Sequence, residues 1–222
     1  MSKKVVILGT AHGSNVGGKC SPDKKFREFR YSREIISILK PKLEELGFLV
    51  FIDIPDDIVP LPQKSELSKR CSIVNNICAK YGKANCIYVS IHCNAAGSDG
   101  KWHTAGGWCI YTSKGKTKAD TLAERICEAA EIYLSDYAEI MKEGKKKGIY
   151  DSKQRAFRWD MVDGDKDQEA DFYVLAHTAC PAVLSENLFQ DNQSDVAYLQ
   201  SDKGKSAIIQ AHIEGIKKYF GV

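Results

Sequence analysis

Four side chains in this sequence are of the types that a hydrolytic metal centre uses: His12, Glu28, His92 and Glu186. Two imidazoles and one carboxylate form a ligand set of catalytic zinc, which leaves the fourth position for water. Zinc-bound water is acidic enough to attack a carbonyl near neutral pH, and a second carboxylate can pass the proton to a leaving amine. The residue types suggest zinc-assisted hydrolysis of an amide or ester, but they do not show which glutamate is ligand and which is base.

Each of these residues also has an ordinary structural interpretation. His92 could be a hydrogen-bonded histidine at the edge of a strand, and Glu28 a helix-dipole partner or solvated residue in a first turn. The four lie far apart in the sequence, so their spacing alone is weak evidence. Cys20 and Cys93 lie near the same polar clusters, but zinc–thiolate sites usually contain paired cysteines and no Cys-x-x-Cys occurs.

The elements that must position these residues follow from the apolar pattern. Residues 4–9 are apolar and run into the glycine-rich loop that contains the first histidine. Residues 86–91 and 181–185 have the pattern of strands covered on both faces, and they precede the second histidine and the last glutamate. Because ligands of open α/β sheets bind at the carboxyl ends of strands, we expect these polar groups to meet at one edge.

The order of the elements predicts the fold class. The first 91 residues read β-α-β-α-β, which favours a parallel sheet with right-handed crossovers. We predict an α/β fold, with a single three-layer domain over residues 1–222 in which helices cover both faces of a mostly parallel, twisted sheet of about six strands. Helices are predicted over residues 26–46, 65–81, 116–133 and 203–220, and further strands over 48–52 and 106–112.

Residues 137–170 show the least regular pattern. They combine the basic run Lys145–Lys147 with an acidic string over residues 160–169. A charged segment of this length inside a domain is typical of a binding loop or lid, and a solvated insertion is the alternative. We also expect a short strand or turn at residues 172–175, and a surface or boundary position for His212 in the last helix.

Composition narrows the classes of function. The net charge of +3 is too weak to argue for a nucleic-acid partner. The apolar run at residues 5–9 is too short for the h-region of a signal peptide, and no segment is long enough to span a membrane. We therefore expect synthesis in the cytoplasm without a signal peptide, with the eight cysteines as free thiols.

A motif surrounds His92. Residues 90–95, Ser-Ile-His-Cys-Asn-Ala, match the Ser-x-His-x-Asn-Ala motif of the zinc-dependent N-acetylmuramoyl-L-alanine amidases called amidase 3. The sequence resembles this family at further points in the same order: Ala11-His12-Gly13, Glu28 at the start of the first long helix, Leu67-x-x-Arg70, and the block Pro181–Phe189. The resemblance covers nearly the whole chain.

The resemblance implies a role for each site residue. His12, Glu28 and His92 would hold one zinc ion, and Glu186 would be the catalytic acid/base. The partner would be peptidoglycan, cleaved at the amide between N-acetylmuramic acid and L-alanine of the stem peptide. Asn94 either holds its own turn or contacts substrate. Neither a nucleic-acid partner nor membrane insertion is expected, and a monomer is favoured.

Several positions depart from the family pattern. Thr10 stands where the family has Asp two residues before the first histidine, Ser185 where it has Val, and Leu188 where it often has Gly. An arginine common after the second strand is absent from residues 52–54. Residues 137–170 lie where some autolytic members carry a regulatory helix over the zinc.

Other functions stay open on the sequence. A zinc carboxypeptidase or deacylase would use a similar ligand set, and a non-catalytic wall-binding or phage structural protein could keep the fold, although binding alone would not need Glu186. A nucleotide-binding α/β protein is disfavoured because both phosphate-loop patterns are missing. A wall-lytic enzyme without a signal resembles phage endolysins, which reach the wall by phage-type release through a separate membrane pore, and a chromosomal origin is equally open.

Overall fold

A six-stranded sheet carries the site residues in the computed structural model, which describes residues 3–162 and 164–222. Met1, Ser2 and Asp163, which belong to the predicted domain and its acidic string, lie outside the described residues. In chain order the elements are β1 (Val5–Thr10), α1 (Glu28–Glu45), β2 (Leu49–Ile52), α2 (Gln63–Tyr81), β3 (Cys86–Asn94), β4 (Cys109–Thr112), α3 (Lys118–Tyr133), α4 (Ser135–Lys146), β5 (Gln168–Glu169), α5 (Tyr173–Ala176), β6 (Ala182–Phe189), α6 (Gln193–Gln200) and α7 (Asp202–Phe220).

The strand order is β2-β1-β3-β6-β4-β5. Strands β2, β1, β3 and β6 are parallel, β4 runs antiparallel to β6, and β5 is parallel to β4. The prediction of a mostly parallel α/β sheet is confirmed. Because β1, β3 and β6 are neighbours, their carboxyl ends lie side by side at one edge of the sheet.

Strand β1 shows how the sheet divides the core. All of its residues are buried, because alternate side chains point to opposite faces and helices cover both. Val6 and Leu8 pack in a cluster with residues of α1, α3 and α7. Val5 and Ile7 pack in a second cluster with residues of α2 and α5. The predicted three layers are therefore present, with the sheet in the middle.

The strands that carry the site are longer than predicted. Strand β3 extends to Asn94 and β6 to Phe189, so His92 and Glu186 lie within paired strands. These two residues are direct partners in the parallel register of β3 and β6, and a bulge follows between His92 and Asn94. The pairing brings the second predicted histidine and the last predicted glutamate next to each other.

Residues 137–170 are more regular than expected at their start. Helix α4 occupies the first part, and its buried residues Tyr137, Met141 and Gly144 lie at helical spacing. Because charged residues surround this stripe, the helical pattern is not evident in the sequence. At the other end, the short strand β5 pairs with β4. The role of this segment as a lid or binding loop stays a prediction.

Two short helices were not anticipated. Helix α5 is a single turn at the position where a strand or turn was expected. Helix α6 begins after Asn192, whose side chain accepts hydrogen bonds from the backbone N–H groups of Ser194 and Asp195. Such a cap satisfies donors that a helix start leaves without partners, and it is worth about 1 kcal/mol.

The surface or boundary position predicted for His212 is wrong. Its side chain is fully buried in α7. Nδ1 donates to the carbonyl of Ile208 over 2.7 Å, and Nε2 lies 2.9 Å from Oγ of Ser185. Burial lowers the pKa of His212 to about 4, so the imidazole is neutral near pH 7. Its partner comes from β6, which the helical pattern of α7 cannot reveal.

The cysteines are free thiols, as expected, and all but Cys20 are buried. Seven therefore pack as small apolar residues in the core. Within the part of the chain that the structure describes, none of the helices has both the length and the apolar character needed to cross a membrane.

Candidate metal centre

Three of the predicted site residues meet at the carboxyl edge of the sheet. His12 lies in the loop after β1, Glu28 is the first residue of α1, and His92 lies near the end of β3. Nδ1 of His92 is 3.0 Å from Oε1 of Glu28, and Nε2 of His12 is 3.5 Å from Oε2 of Glu28. The two imidazole rings meet edge to face, with centroids 5.3 Å apart. One ligand atom from each residue lies within 4.8 Å of the others, a spacing that one metal ion can bridge.

The carboxylate of Glu28 is buried, with 2% of its surface exposed. Burial raises its pKa, but the hydrogen bond with His92 and the two imidazoles outweigh this and leave the pKa below its usual value. The backbone N–H of Cys93 donates to Oε1 over 3.2 Å, and Nε2 of Gln190 donates to Oε2 over 3.3 Å. Glu28 is therefore an ionised carboxylate whose two oxygens both have fixed partners.

The imidazole of His12 is neutral. Burial lowers its pKa to about 3, although the charge of Glu28 acts in the opposite direction. The backbone of His12 has the left-handed φ of 43°, which is uncommon for a residue with a side chain. Arg33 and Arg70 both donate to its carbonyl, over 3.0 and 3.3 Å. These contacts hold the ring in position and offset the backbone strain.

A buried cluster of charged side chains contacts the loop that contains His12. Arg70 donates to Oδ2 of Asp53 over 2.6 Å and to Oε1 of Glu66 over 2.9 Å. Its Nη1 atom also lies 3.0 Å from Oγ1 of Thr10. Tyr88 donates its hydroxyl to Asp53 over 2.9 Å. The guanidinium therefore connects α2 and the residue after β2 to the end of β1.

Glu186 lines the same cavity as His12 and His92, and its carboxyl group has no hydrogen-bond partner in the described part of the chain. Oε2 is buried and unpaired among residues 3–162 and 164–222. Burial and the negative charge of Glu28 raise the pKa of Glu186 well above its usual value. A carboxyl group with this property, next to a metal ligand set, has the chemistry of a general acid/base.

The site opens into a cavity of about 270 Å³. His12, His92 and Glu186 line it, together with residues that include Leu67, Phe172 and Tyr173. A substrate in this cavity would contact both the candidate ligand set and the candidate base.

The family assignment comes from the sequence as a whole. Residues 6–218 match the model of the amidase 3 family, described as N-acetylmuramoyl-L-alanine amidase. The chain belongs to this amidase family.

Known relatives agree with the assignment. The chain is 33% identical over 130 residues to an endolysin of Bacillus phage SPP1, covering 59% of this chain and 38% of that protein. It is 27% identical over 160 residues to the N-acetylmuramoyl-L-alanine amidase CwlM of Bacillus licheniformis, covering 72% of this chain and 48% of that one. The chain therefore spans less than half the length of either relative.

A solved structure shows the same fold. The crystal structure of N-acetylmuramoyl-L-alanine amidase from Clostridium difficile 630 superposes with a TM-score of 0.73 at 20% identity, covering 100% of this chain and 98% of that one. The sheet and its helices are thus those of an amidase of known structure.

Two departures from the family pattern have structural counterparts in this chain. Thr10 stands where the family has an aspartate, and the carboxylate of another residue contacts it, since Oδ1 of Asp53 accepts from the backbone N–H of Thr10 over 3.0 Å. Leu188 stands at a glycine position and has a left-handed φ of 63°, a conformation that costs a side-chain residue about 1–2 kcal/mol. It lies in the register irregularity between the pairs His92–Glu186 and Asn94–Phe189, so this irregularity forms without a glycine.

The third departure, Ser185, is part of a buried polar network. Nδ2 of Asn187 donates to Oγ of Ser185 over 3.0 Å and to the carbonyl of His92 over 3.0 Å. Nε1 of Trp108 donates to Oδ1 of Asn187 over 2.8 Å. With His212 on its other side, the serine hydroxyl joins α7 to the strand that carries His92.

The remaining candidates lie near the centre but outside the ligand group. Oδ1 of Asn94 accepts from the backbone N–H of Ala95 over 2.8 Å, which supports the turn. A contact with substrate by Asn94 stays a prediction. Burial raises the pKa of the Cys93 thiol well above its usual value, and neither Cys93 nor Cys20 joins the described ligand group.

Gln190 is a residue of the candidate site that the sequence did not reveal. It follows β6 directly, is 3% exposed, and its amide fixes Glu28 from a position 162 residues away. Its location after a predicted buried strand was the one available signal, because such positions gather at the carboxyl edge of the sheet.

Proposed function

We propose that this chain is a zinc-dependent amidase that hydrolyses the amide between N-acetylmuramic acid and L-alanine in peptidoglycan. The juxtaposition of His12, Glu28 and His92 with the unpaired carboxyl of Glu186 carries the proposal. The family and the relatives named as an endolysin and an amidase support the substrate.

The residues present fit a zinc ion. Metal ligands must be deprotonated, and here His12 is neutral while Glu28 is ionised. His12, Glu28 and His92 would hold the ion. Zinc, when bound, supplies an acidified water and polarises a carbonyl.

Glu186 would move the proton. Its raised pKa brings the carboxyl closer to neutrality than that of an exposed glutamate. As a base it would take a proton from the attacking water at Oε2, the oxygen that lacks a partner in the described part of the chain. As an acid it would return the proton to the nitrogen of L-alanine, so that the peptide leaves as an amine.

Other residues of the site would hold these groups in place. Gln190 and the backbone N–H of Cys93 orient the carboxylate of Glu28. Oγ of Ser90 lies 3.1 Å from Nε2 of His92 and orients the ring. Partners of this kind typically change metal affinity by about 10- to 100-fold when they are removed.

The place of action follows from the substrate. The protein would act on the cell wall, reaching it by phage-type release, as expected from the sequence and as the relative named as an endolysin supports. The monomeric state stays a prediction.

Digestion of purified peptidoglycan tests the proposal. The enzyme should release free L-alanine amino termini, lose this activity after chelation, and regain it when zinc is added back. New reducing ends or cleavage between peptides would refute the amidase proposal. Release of single C-terminal residues would assign the site to a carboxypeptidase instead, and activity that survives complete metal removal would refute zinc dependence.

A further inference from the structure

A second cavity of about 460 Å³ lies next to the candidate metal centre. The glycine-rich loop after β1 and the loop at residues 95–101 form its walls, and Gln190 and Asp191 also line it. Gln190 connects this cavity to the centre because it also hydrogen bonds to Glu28. Lys19 borders both this cavity and the first one. Because both cavities border Lys19 and lie beside the ligand cluster, we describe them as two arms of one groove.

Positive charge distinguishes the second arm. Lys19, Lys24 and Lys101 line it, and none of their ammonium groups has an ion-pair or hydrogen-bond partner in residues 3–162 and 164–222. The first arm differs, because its described lining includes the carboxylates of Glu66 and Glu186, and its one guanidinium, that of Arg70, pairs with Asp53 and Glu66. Asp191, the carboxylate in the described lining, is mostly buried, and its Oδ2 accepts from two backbone N–H groups. The arm thus has a surplus of cations.

The backbone of this arm is strained at two of its lysines. Lys19 and Lys24 have left-handed φ values of 47° and 63°; such strain is characteristic of functional loops. Gly17 has an ordinary φ, and a Cβ on it would meet no atom within 4 Å, so packing does not require a glycine there.

The floor of the arm offers acceptors as well. Oε1 of Gln190 and Oδ1 of Asp191 are buried and lack hydrogen-bond partners among the described residues. Buried acceptors without partners are costly, and a ligand with N–H groups would complement them. A peptide has N–H groups and, when acidic, carboxylates for the lysines.

We infer that this lysine-lined arm binds the acidic stem peptide, and that the first arm, with Phe172 and Tyr173, takes the uncharged glycan. The inference rests on the proposed function. The scissile amide joins an uncharged sugar chain to a peptide with free carboxylates, so only the peptide side matches the unpaired ammonium groups. The aromatic side chains of the first arm offer flat apolar surfaces suited to sugar rings.

A matched pair of substrates tests this assignment. Two synthetic muropeptides share the glycan and differ only at the second stem residue, which is either γ-linked D-glutamate with a free carboxylate or its amide. The double variant Lys24→Gln/Lys101→Gln should lower kcat/KM for the acid about fivefold, mainly through KM, and change the amide less than about twofold. Lys42→Gln/Lys69→Gln, which removes two exposed lysines outside the groove, should change neither.

The outcomes separate the two claims. Wild-type enzyme that releases no amine from either muropeptide overturns the proposed function and the inference with it. If the wild type is active and the double variant shows the same preference between the acid and the amide, the inference is overturned and the proposed function stands. The double variant could also lose activity on whole walls and keep full activity on both soluble muropeptides. That result would assign the lysines to an anionic wall polymer and would also overturn the inference.

Discussion

Replacement of Arg70 by methionine tests how the loop of His12 is held. Arg70 is 3% exposed, and methionine keeps much of its apolar volume while removing the guanidinium. The change leaves the buried carboxylates of Asp53 and Glu66 without their cation. The contact with the carbonyl of His12 is also lost.

The size of the effect follows from what each carboxylate loses. Asp53 keeps hydrogen bonds from Thr10 and Tyr88, whereas the hydrogen bonds of the Glu66 side chain in the described part of the chain run to Arg70. Breaking a buried ion pair by removing one partner costs about 3–5 kcal/mol. We therefore expect Arg70→Met to lower the free energy of unfolding of the metal-free protein by about 3–5 kcal/mol. Zinc affinity should also fall, since His12 loses one of two arginine donors.

Urea unfolding followed by circular dichroism measures the first effect, and calorimetric zinc titration the second. Lys69→Met is the matched control, because Lys69 is exposed on the same helix, and it should change stability by less than about 0.5 kcal/mol. The double variant Asp53→Asn/Arg70→Met should lose less than the sum of the two single variants. This account of the charge cluster would be refuted if Arg70→Met lowered the free energy of unfolding by less than about 1 kcal/mol. It would also be refuted if the effects of the two single variants were strictly additive in the double variant.

Two further predictions concern other parts of the site and core. Gln190→Leu removes the amide that donates to Glu28, so zinc affinity measured by calorimetry should fall about tenfold; an unchanged dissociation constant would contradict the role of Gln190. His212 has its pKa lowered from 6.5 to about 4 by burial, so the unfolded chain binds the extra proton first and stability decreases as pH falls from about 6.5 to 4. In the His212→Gln variant, the loss of stability between pH 7 and pH 4 should be smaller by about 3 kcal/mol. Denaturant midpoints at the two pH values measure this difference. Identical pH profiles of variant and wild type would show that His212 does not titrate in this way.

The sequence predicted the parts of the site that depend on strand ends. The histidines and Glu186 follow apolar strands, and parallel pairing alone brings such positions to one edge. Gln190 and Asp53 could not be assigned, because their partners lie on elements that only the folded sheet brings near. Their roles depend on side-chain contacts between distant segments.

The same reason accounts for the errors in the fold. The stripe of α4 is narrow and surrounded by charge, so the segment looked irregular. His212 looked like a boundary residue because its hydroxyl partner, Ser185, belongs to β6. The antiparallel direction of β4 has no signature in its four residues and follows from the way the chain returns to the sheet.

The turnover of the Glu186→Gln variant at full zinc occupancy tests the central claim most directly. The claim is that His12, Glu28 and His92 hold the metal while Glu186 moves the proton. The variant should bind one zinc per chain with wild-type affinity, because Glu186 lies outside the ligand group, and its turnover on peptidoglycan should fall at least about 100-fold. Turnover close to that of the wild type, or loss of the zinc in this variant, would contradict the claim.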